Sequence, residues 1–366
     1  MSEDFDTTTL SRSDYWSQEI YELERQRLFH ANWFMVARGS TLTPGDRRVF
    51  DVAGESVLVT RDLGGVAHAF ANVCRHRGAR LCESDVDSTQ GSLMCPYHAW
   101  TYALDGRLIS TPHLTDGELD RSALSLWSLP LREFEGFVFV CLASDPPDFD
   151  AWLDDQGAQL QLLLRFGLSE LVVAHTTVST VESNWKIVVE NYQECLHCTR
   201  VHPELVDIIP LYRTGHVVEP GHPMGGARLR DGGDSFAAGG KTSLPLLPNV
   251  EPADADYYFG ATVFPNGFVD ITGTSAIVTT MFPKGPSRTQ IVTEYLFAPS
   301  TVAQPDFDPS PIVDFSELVA AQDYSVCEMV QRGVSSSRFT SGHLTAKDES
   351  VVDFVAQYRR CMRVGG

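Results

Sequence analysis

The chain is short of positive charge. Its 366 residues include 28 Lys and Arg against 48 Asp and Glu, a formal net charge of −20. So acidic a surface repels a phosphate backbone, which argues against a nucleic-acid partner, and it suits docking to a basic patch on another protein. Long apolar runs are also missing. The most apolar stretch, Phe137 to Ala143, has strand length and falls far short of a membrane span. The N-terminus reads MSEDFDTTTL, acidic and without an apolar segment. Neither a signal peptide nor an Arg-rich transit peptide is therefore expected, and the expected location is the cytoplasm. There is no GxGxxG fingerprint, so electrons from a nicotinamide or flavin would have to come from a separate protein. No internal repeat or low-complexity tract is present. Eight cysteines in the chain are too few for a disulfide scaffold. In a reducing compartment they are expected to be free, catalytic or metal-bound.

What is present divides the chain into three parts. Residues 13–29 have the loose apolar stripe of a helix, and 1–32 are expected to form a helical arm. From Trp33, short runs such as WFMVAR, RRVFDV, SVLVTRD and AHAFANV alternate with Gly and Pro turns and end in GFVFVCLA, the texture of a small β domain over 33–145. SDPP at 144–147 marks a boundary. Residues 146–366 read as a larger α+β domain, an antiparallel sheet flanked by helices. Helices are expected over 149–167, 185–198, 312–333 and 348–362, with strands at 171–178 and over 257–298, where FPNGFVD signals a hairpin. The Gly-rich segment 214–240 is expected to be a mobile loop, either a surface linker or a lid over a pocket.

Two constellations carry chemistry. In the first, Cys74 and His76 are followed after 18 residues by Cys95 and His98, with the spacing C-x-H-x18-C-x2-H. Two Cys and two His complete a four-ligand set. A structural zinc site could use it. A Rieske [2Fe–2S] cluster also takes two Cys and two His, and the replacement of thiolate by imidazole raises its potential. Zinc fingers usually pair Cys with Cys and His with His along the chain. Here each loop supplies one of each, which favours the cluster. Cys82 lies outside the spacing and reads as a small core residue. The string CRHRGA…CPYHAWTY, with Trp100 and Tyr102, resembles the Rieske domain of the ring-hydroxylating, Rieske non-heme iron oxygenase α subunits.

The second constellation is NWKIVVENYQECLHCTRVHP, residues 184–203. On a wheel of about 100° per residue, Trp185, Val189, Tyr192 and Leu196 form one stripe, and Glu190, Glu194 and His197 cluster opposite it. For an isolated helix the bland expectation is a solvated polar face. His202 follows His197 by five residues and precedes Pro203. Two such histidines can converge on one metal if the helix ends between them. Two His and one carboxylate make the facial triad of non-heme Fe(II) oxygenases. In the helix over 312–333, Phe315, Val319, Gln322, Val326, Met329 and Val330 form the expected buried face. Asp323 lies at its edge, while Asp314, Glu317 and Glu328 turn away. Asp323 is thus the acid best placed to point inward.

The string at 184–203 is similar to the iron motif of the same family, and QDYSVCEMVQRG is similar to the segment donating its third ligand. The resemblance implies a Rieske cluster on Cys74, His76, Cys95 and His98, and a mononuclear Fe(II) on His197, His202 and Asp323. It implies that Glu194 is an acidic residue bridging the iron-bound imidazole to a Rieske His of a neighbouring subunit. A Glu within ENYQECLHC is closer to the branch acting on carnitine and glycine betaine. The expected activity is that of a terminal oxygenase, using O2 and electrons from an NAD(P)H-dependent flavin/iron–sulfur reductase, directly or through a ferredoxin. It would hydroxylate or oxidatively N-demethylate a small organic substrate. The expected assembly is a homotrimer. Aromatic-ring dihydroxylation is the alternative, and a Rieske electron carrier or a zinc-stabilised binding module the remoter ones. Tyr257, Tyr258, Phe259, Phe264 and Phe268 are candidate aromatic walls for a substrate pocket, or else strand core.

Overall fold

The structure, a computed structural model, describes residues 8–86, 91–112, 114–115, 117–157, 159–222 and 225–363. The chain divides into two compact units, Phe29–Phe149 and a second made of Asp150 onward together with the N-terminal segment up to Leu28. Among the described residues, no helix is long and apolar enough to cross a membrane.

The first unit is built from the short strands read in the sequence. Arg47–Val52, Glu55–Arg61, Ala67–Ala71 and Ser128–Leu129 form one antiparallel sheet in that order. Phe34–Arg38, Phe137–Val140 and Leu131–Phe134 form a second. A third small sheet joins Ser92–Met94, Thr101–Ala103 and Leu108–Ser110. The turn between Val52 and Glu55 is two residues, Ala53 at φ 47° and Gly54 at φ 90°. Two successive positive φ values are what a tight hairpin with right-twisted strands requires. Leu58, Phe70, Leu93, Trp100, Tyr102 and Leu104 pack with Cys74 and Cys95 into one buried cluster.

The second unit rests on a six-stranded antiparallel sheet. Its order is Val172–Val181, Arg288–Phe297, Ala276–Gly285, Gly267–Ile271, Tyr257–Val263 and Ala227–Arg228. Strand alternation turns Tyr258, Gly260, Thr262, Phe268, Asp270, Ile277, Thr279 and Thr293 toward one cavity. The helices Trp185–Tyr192 and Ser310–Val334 pack against each other, and Glu349–Arg363 closes the chain.

Several elements differ from the sequence reading. The expected helix over 13–29 is broken at Ser17, which caps the second piece by accepting a bond from Ile20 N–H at 3.3 Å. The helix expected over 185–198 stops at Tyr192. Its polar side is not solvated. All five residues from Trp185 to Val189 are buried, and Glu190 accepts a hydrogen bond from Tyr15 Oη at 2.7 Å. The N-terminal segment covers that side. Glu24 and Lys186, both fully buried, form an ion pair there. Glu24 also accepts from Trp185 Nε1 at 3.0 Å and Tyr358 Oη at 2.7 Å.

In the long helix the buried residues are Ile312, Val313, Phe315, Val319, Cys327, Gln331 and Val334, and Met329 and Val330 are exposed. Burial follows the four-residue row Phe315, Val319, Asp323, Cys327, Gln331. That row winds steadily around the helix, so its second half buries a different side from its first. Asp323 sits in the middle of this row rather than at the edge of a fixed face.

Candidate active site

Cys74 and Cys95 begin two loops of matching backbone design. Each Cys N–H bonds the carbonyl five residues on, Cys74 to Ala79 at 2.8 Å and Cys95 to Trp100 at 2.8 Å. Each Cys carbonyl accepts from the N–H four residues on, Gly78 at 3.1 Å and Ala99 at 3.0 Å. Both of those residues are left-handed, Gly78 at φ 75° and Ala99 at φ 56°. The loops bring like to like. The two thiols are buried and interact with each other, and the rings of His76 and His98 lie 4.6 Å apart. Trp100 stacks flat on His76 at 4.6 Å. Tyr102 Oη accepts Arg75 N–H at 3.1 Å and lies 3.3 Å from Cys74 Sγ, placed to donate to it.

These donors fit an iron–sulfur cluster better than zinc. His98 Nδ1 is buried without a hydrogen-bond partner, an atom that a metal would satisfy. Burial, then the neighbouring His76 and Arg77, hold the His98 ring below the usual imidazole range, which favours the neutral ligand form. No three of the four donors gather within 4.8 Å of one another, as His197, His202 and Asp323 do. One zinc ion needs that convergence, and a cluster of two irons spreads its ligands. Cys82 is half-buried against the same core.

In the second unit the chain turns sharply after Tyr192. Glu194 Oε1 accepts His197 Nδ1–H at 2.6 Å, and Oε2 accepts Leu196 N–H. The closeness of Glu194 to His197 therefore comes from this turn and not from helical periodicity. Cys195 and Cys198 form a disulfide across the turn, which corrects the expectation that every cysteine is free, catalytic or metal-bound. The C-x2-C spacing brings their Cα atoms to 5.0 Å, within bonding reach. A short helix, Cys198–Val201, then leads to His202, where the backbone leaves helical geometry at φ −122°, ψ 67° ahead of the next helix, Pro203–Ile208.

That break lets the two imidazoles face Asp323. His202 Nε2 lies 2.8 Å from Asp323 Oδ1 and His197 Nε2 3.3 Å from it. Each ring has an acceptor at Nδ1, Glu194 for His197 and Gln322 Oε1, at 2.7 Å, for His202. Gln322 is held in turn by Glu204, 3.1 Å from its Nε2. With both Nδ1 atoms donating, both Nε2 atoms and a carboxylate oxygen are left to face one another, Asn191 Nδ2 lying 3.4 Å from His197 Nε2. Without a metal, a proton on His197 Nε2 can bridge to Asp323; with one, the two Nε2 atoms and the carboxylate oxygen form a donor set that suits iron. Burial lowers the His197 pKa, but the bonds to Asp323 and Glu194 outweigh it and push it up to about 9. Asp323 lies below the usual carboxylate range, since those histidines overcome its burial. Gln322 was read only as part of a buried face, and its adjacency to Asp323 was the available signal for its place here.

Glu194, His197, His202 and Asp323 line a cavity of about 240 Å³. Of the candidate aromatic walls, Tyr258 and Phe268 face it. Tyr257, Phe259 and Phe264 belong to the strand core on other sides, against His222, Phe166 and Phe354. The Gly-rich segment is no plain linker. Val217, Val218, Gly225 and Phe236 line the cavity, and Ala227, Leu229 and Ala237 are core. Part of the 214–240 reading, at residues 223 and 224, lies outside the described residues. Asp270, which the sequence reading missed, also lines the cavity. Its Oδ1 accepts from Tyr192 Oη and, at 2.6 Å, from Tyr258 Oη. Burial pushes it up to about 6 against the lowering effect of those two bonds.

Comparison with known proteins agrees with this geometry. The model for the Rieske [2Fe-2S] domain matches residues 32–131, and that for the ring hydroxylating alpha subunit catalytic domain matches 168–364. The glycine betaine monooxygenase oxygenase subunit of Chromohalobacter salexigens is 29% identical, over 97% of this chain and 86% of that protein. The carnitine monooxygenase oxygenase subunit of Acinetobacter pittii is 28% identical, over 90% of this chain and 85% of its own length. Among solved structures, a quaternary ammonium Rieske monooxygenase, described for carnitine oxidation by gut microbiota and inter-subunit electron transfer, shares the fold with a TM-score of 0.80. It has 24% identity, over 98% of this chain and 97% of that one. With the two family models together spanning most of the sequence, the chain belongs to the ring-hydroxylating oxygenase α subunits, iron enzymes that carry a Rieske [2Fe–2S] cluster and a mononuclear iron and draw electrons from a reductase.

Proposed function

We propose that this oxygenase hydroxylates, or oxidatively N-demethylates, a small quaternary ammonium compound in the cytoplasm. The observation that carries this reading is the meeting of His197, His202 and Asp323 at a cavity lined by aromatic rings and two further carboxylates, Glu194 and Asp270. When bound, the two metal centres supply single electrons and the activation of O2. Cys74, His76, Cys95 and His98 hold the cluster in the Rieske domain, 33–145. His197, His202 and Asp323 hold the iron in the catalytic domain, 146–366, and the arm is 1–32. Glu194 and Gln322 act on the iron through its ligands. Each keeps a proton on Nδ1 and so presents Nε2 as the metal-binding atom. The relatives named for glycine betaine and carnitine support the substrate class, since an ammonium group suits aromatic faces.

The electron donor in this reading is a flavin/iron–sulfur, NAD(P)H-dependent reductase, directly or through a ferredoxin. The net charge of −20 suits a basic docking face on that partner. The assembly is a homotrimer in which Glu194 links the iron ligand His197 to a Rieske histidine of the next subunit. Reductase-driven turnover with a panel of quaternary ammonium compounds and a panel of aromatic hydrocarbons tests the reading. Formaldehyde or hydroxylated amine from the first panel is expected. Products from the aromatic panel alone would replace it with ring hydroxylation.

A further inference from the structure

The cavity has a one-sided charge. Its lining contains three carboxylates, Glu194, Asp270 and Asp323, and among the described lining residues no Lys or Arg. Two of the three are committed to the histidines, Glu194 to His197 and Asp323 to both His197 and His202. Asp270 is not. Its Oδ1 accepts from Tyr192 and Tyr258, and no described residue bonds its second oxygen. The two hydroxyls are donors that favour the charged form of the acid, yet no Lys or Arg among the described lining residues pairs with it. A carboxylate enclosed without a counter-charge is costly to keep.

The space beside Asp270 is arranged to be entered. Gly260 lies directly across from it in the paired strands. A Cβ at Gly260 would come to 3.0 Å from Tyr192 Oη and 3.5 Å from Asp270 Oδ1, so any larger residue would crowd the hydroxyl and narrow the approach. Tyr192 and Phe268 stack at 3.8 Å beside it, and Tyr212, Tyr258 and Phe236 complete an aromatic surround. A carboxylate set among aromatic rings is a receptor for an organic cation, since the ring faces and the acid attract the same charge.

Deepening the ammonium reading above and resting on it, we propose that Asp270 anchors the cationic nitrogen of the substrate, and that the substrate bears no carboxylate of its own. A zwitterion such as glycine betaine would bring a further negative charge into a cavity that already holds three carboxylates and whose described lining, apart from the iron, offers it no cation. A simple amine or an amino alcohol brings only the charge that Asp270 lacks. A neutral aromatic hydrocarbon would leave that acid unpaired.

Calorimetric titration of the anaerobic holoenzyme tests this with three probes. These are choline, its neutral isostere 3,3-dimethylbutan-1-ol, and glycine betaine. The parent enzyme is expected to bind choline at least about tenfold more tightly than either of the others, as for a charge pair formed out of water. Asp270→Asn should bring choline to within about threefold of the alcohol, with the affinity for the alcohol and the Rieske absorption spectrum unchanged. If Asp270→Asn keeps the full choline preference, Asp270 is not the anchor, although the ammonium reading stands. If glycine betaine matches choline on the parent enzyme, the exclusion of a carboxylate is wrong. If the parent enzyme does not distinguish choline from the alcohol, the ammonium reading itself falls and takes the anchor with it. The parent measurements need no variant, so a misfolded Asp270→Asn protein leaves those two decisions intact.

Discussion

His202 and Asp323 lie 121 positions apart in the sequence and 2.8 Å apart in space, Nε2 to Oδ1. The contact joins the start of one short helix to the middle of the longest one, and it closes a donor set that His197 completes from the other side. Asp323→Ala removes the only anionic member of that set. The variant is expected to lose the mononuclear iron, about one iron in three, and to keep both irons of the cluster. Iron analysis together with the Rieske absorption spectrum checks this. Full iron retention would move the third ligand elsewhere.

His76 and His98 approach ring to ring at 4.6 Å while the two thiols approach each other. If both rings serve one iron, His76→Ala and His98→Ala should each abolish the Rieske electron paramagnetic signal of the reduced protein. An intact signal in both variants would refute the assignment.

Glu194 divides its carboxylate between His197 Nδ1 and Leu196 N–H. Glu194→Ala should leave the cluster spectrum and most of the mononuclear iron in place. Turnover should fall about tenfold to a hundredfold, the range for partners that orient a metal-bound imidazole. Glu194→Asp keeps the charge with a shorter reach and should be milder. Stopped-flow reoxidation of the reduced cluster separates the roles. An unchanged rate in the Ala variant would remove the bridge between subunits, and loss of the iron would make Glu194 a ligand.

Glu190 carries a pH signature. Burial raises its carboxyl from 4.5 to about 7, against lowering by the Tyr15 bond and Lys186. A raised acid is stabilising while protonated, so its contribution is complete below pH 4.5 and is lost as the pH climbs through about 7. Glu190→Gln has no proton to lose. Relative to the parent, its unfolding free energy should gain about 3 kcal/mol between pH 4.5 and pH 8. Urea unfolding across that range measures the difference, and parallel curves for the two proteins would contradict it.

The metal motifs were legible because coordination fixes residue types at fixed spacings, as in C-x-H…C-x2-H and in His197 and His202 before Pro203. Asp323 was legible because the expected face holds through the first half of its helix, at Phe315 and Val319, before burial winds away from Met329 and Val330. The same logic failed at Glu194, where a turn closed by Cys195 and Cys198 replaces the expected helix and reaches the same contact by another route. It also failed at Glu190, since no pattern inside residues 184–203 records that the N-terminal segment will cover them. Asp270 stayed hidden for a different reason. A strand acid leaves no spacing signal, and its environment comes from Tyr192, 78 positions away, and from Tyr258 across the hairpin. The clue available was pairing: the FPNGFVD hairpin sets Asp270 opposite Gly260, an acid facing a gap.

The burial of Glu24 bears on how the chain is made and how it can be cut. Its partners Trp185, Lys186 and Tyr358 come from the middle and the far end of the sequence. The unit holding the iron site therefore cannot complete its interior until nearly the whole polypeptide has left the ribosome, and the opening helices must wait, unprotected, through that interval. A fragment begun at Asp150 would retain the Lys186 ammonium in the interior while lacking the carboxylate that neutralises it, a loss on the order of 3–5 kcal/mol. The Rieske unit is one uninterrupted stretch and the iron-site unit is not, so only the former can be excised as a simple piece of the gene.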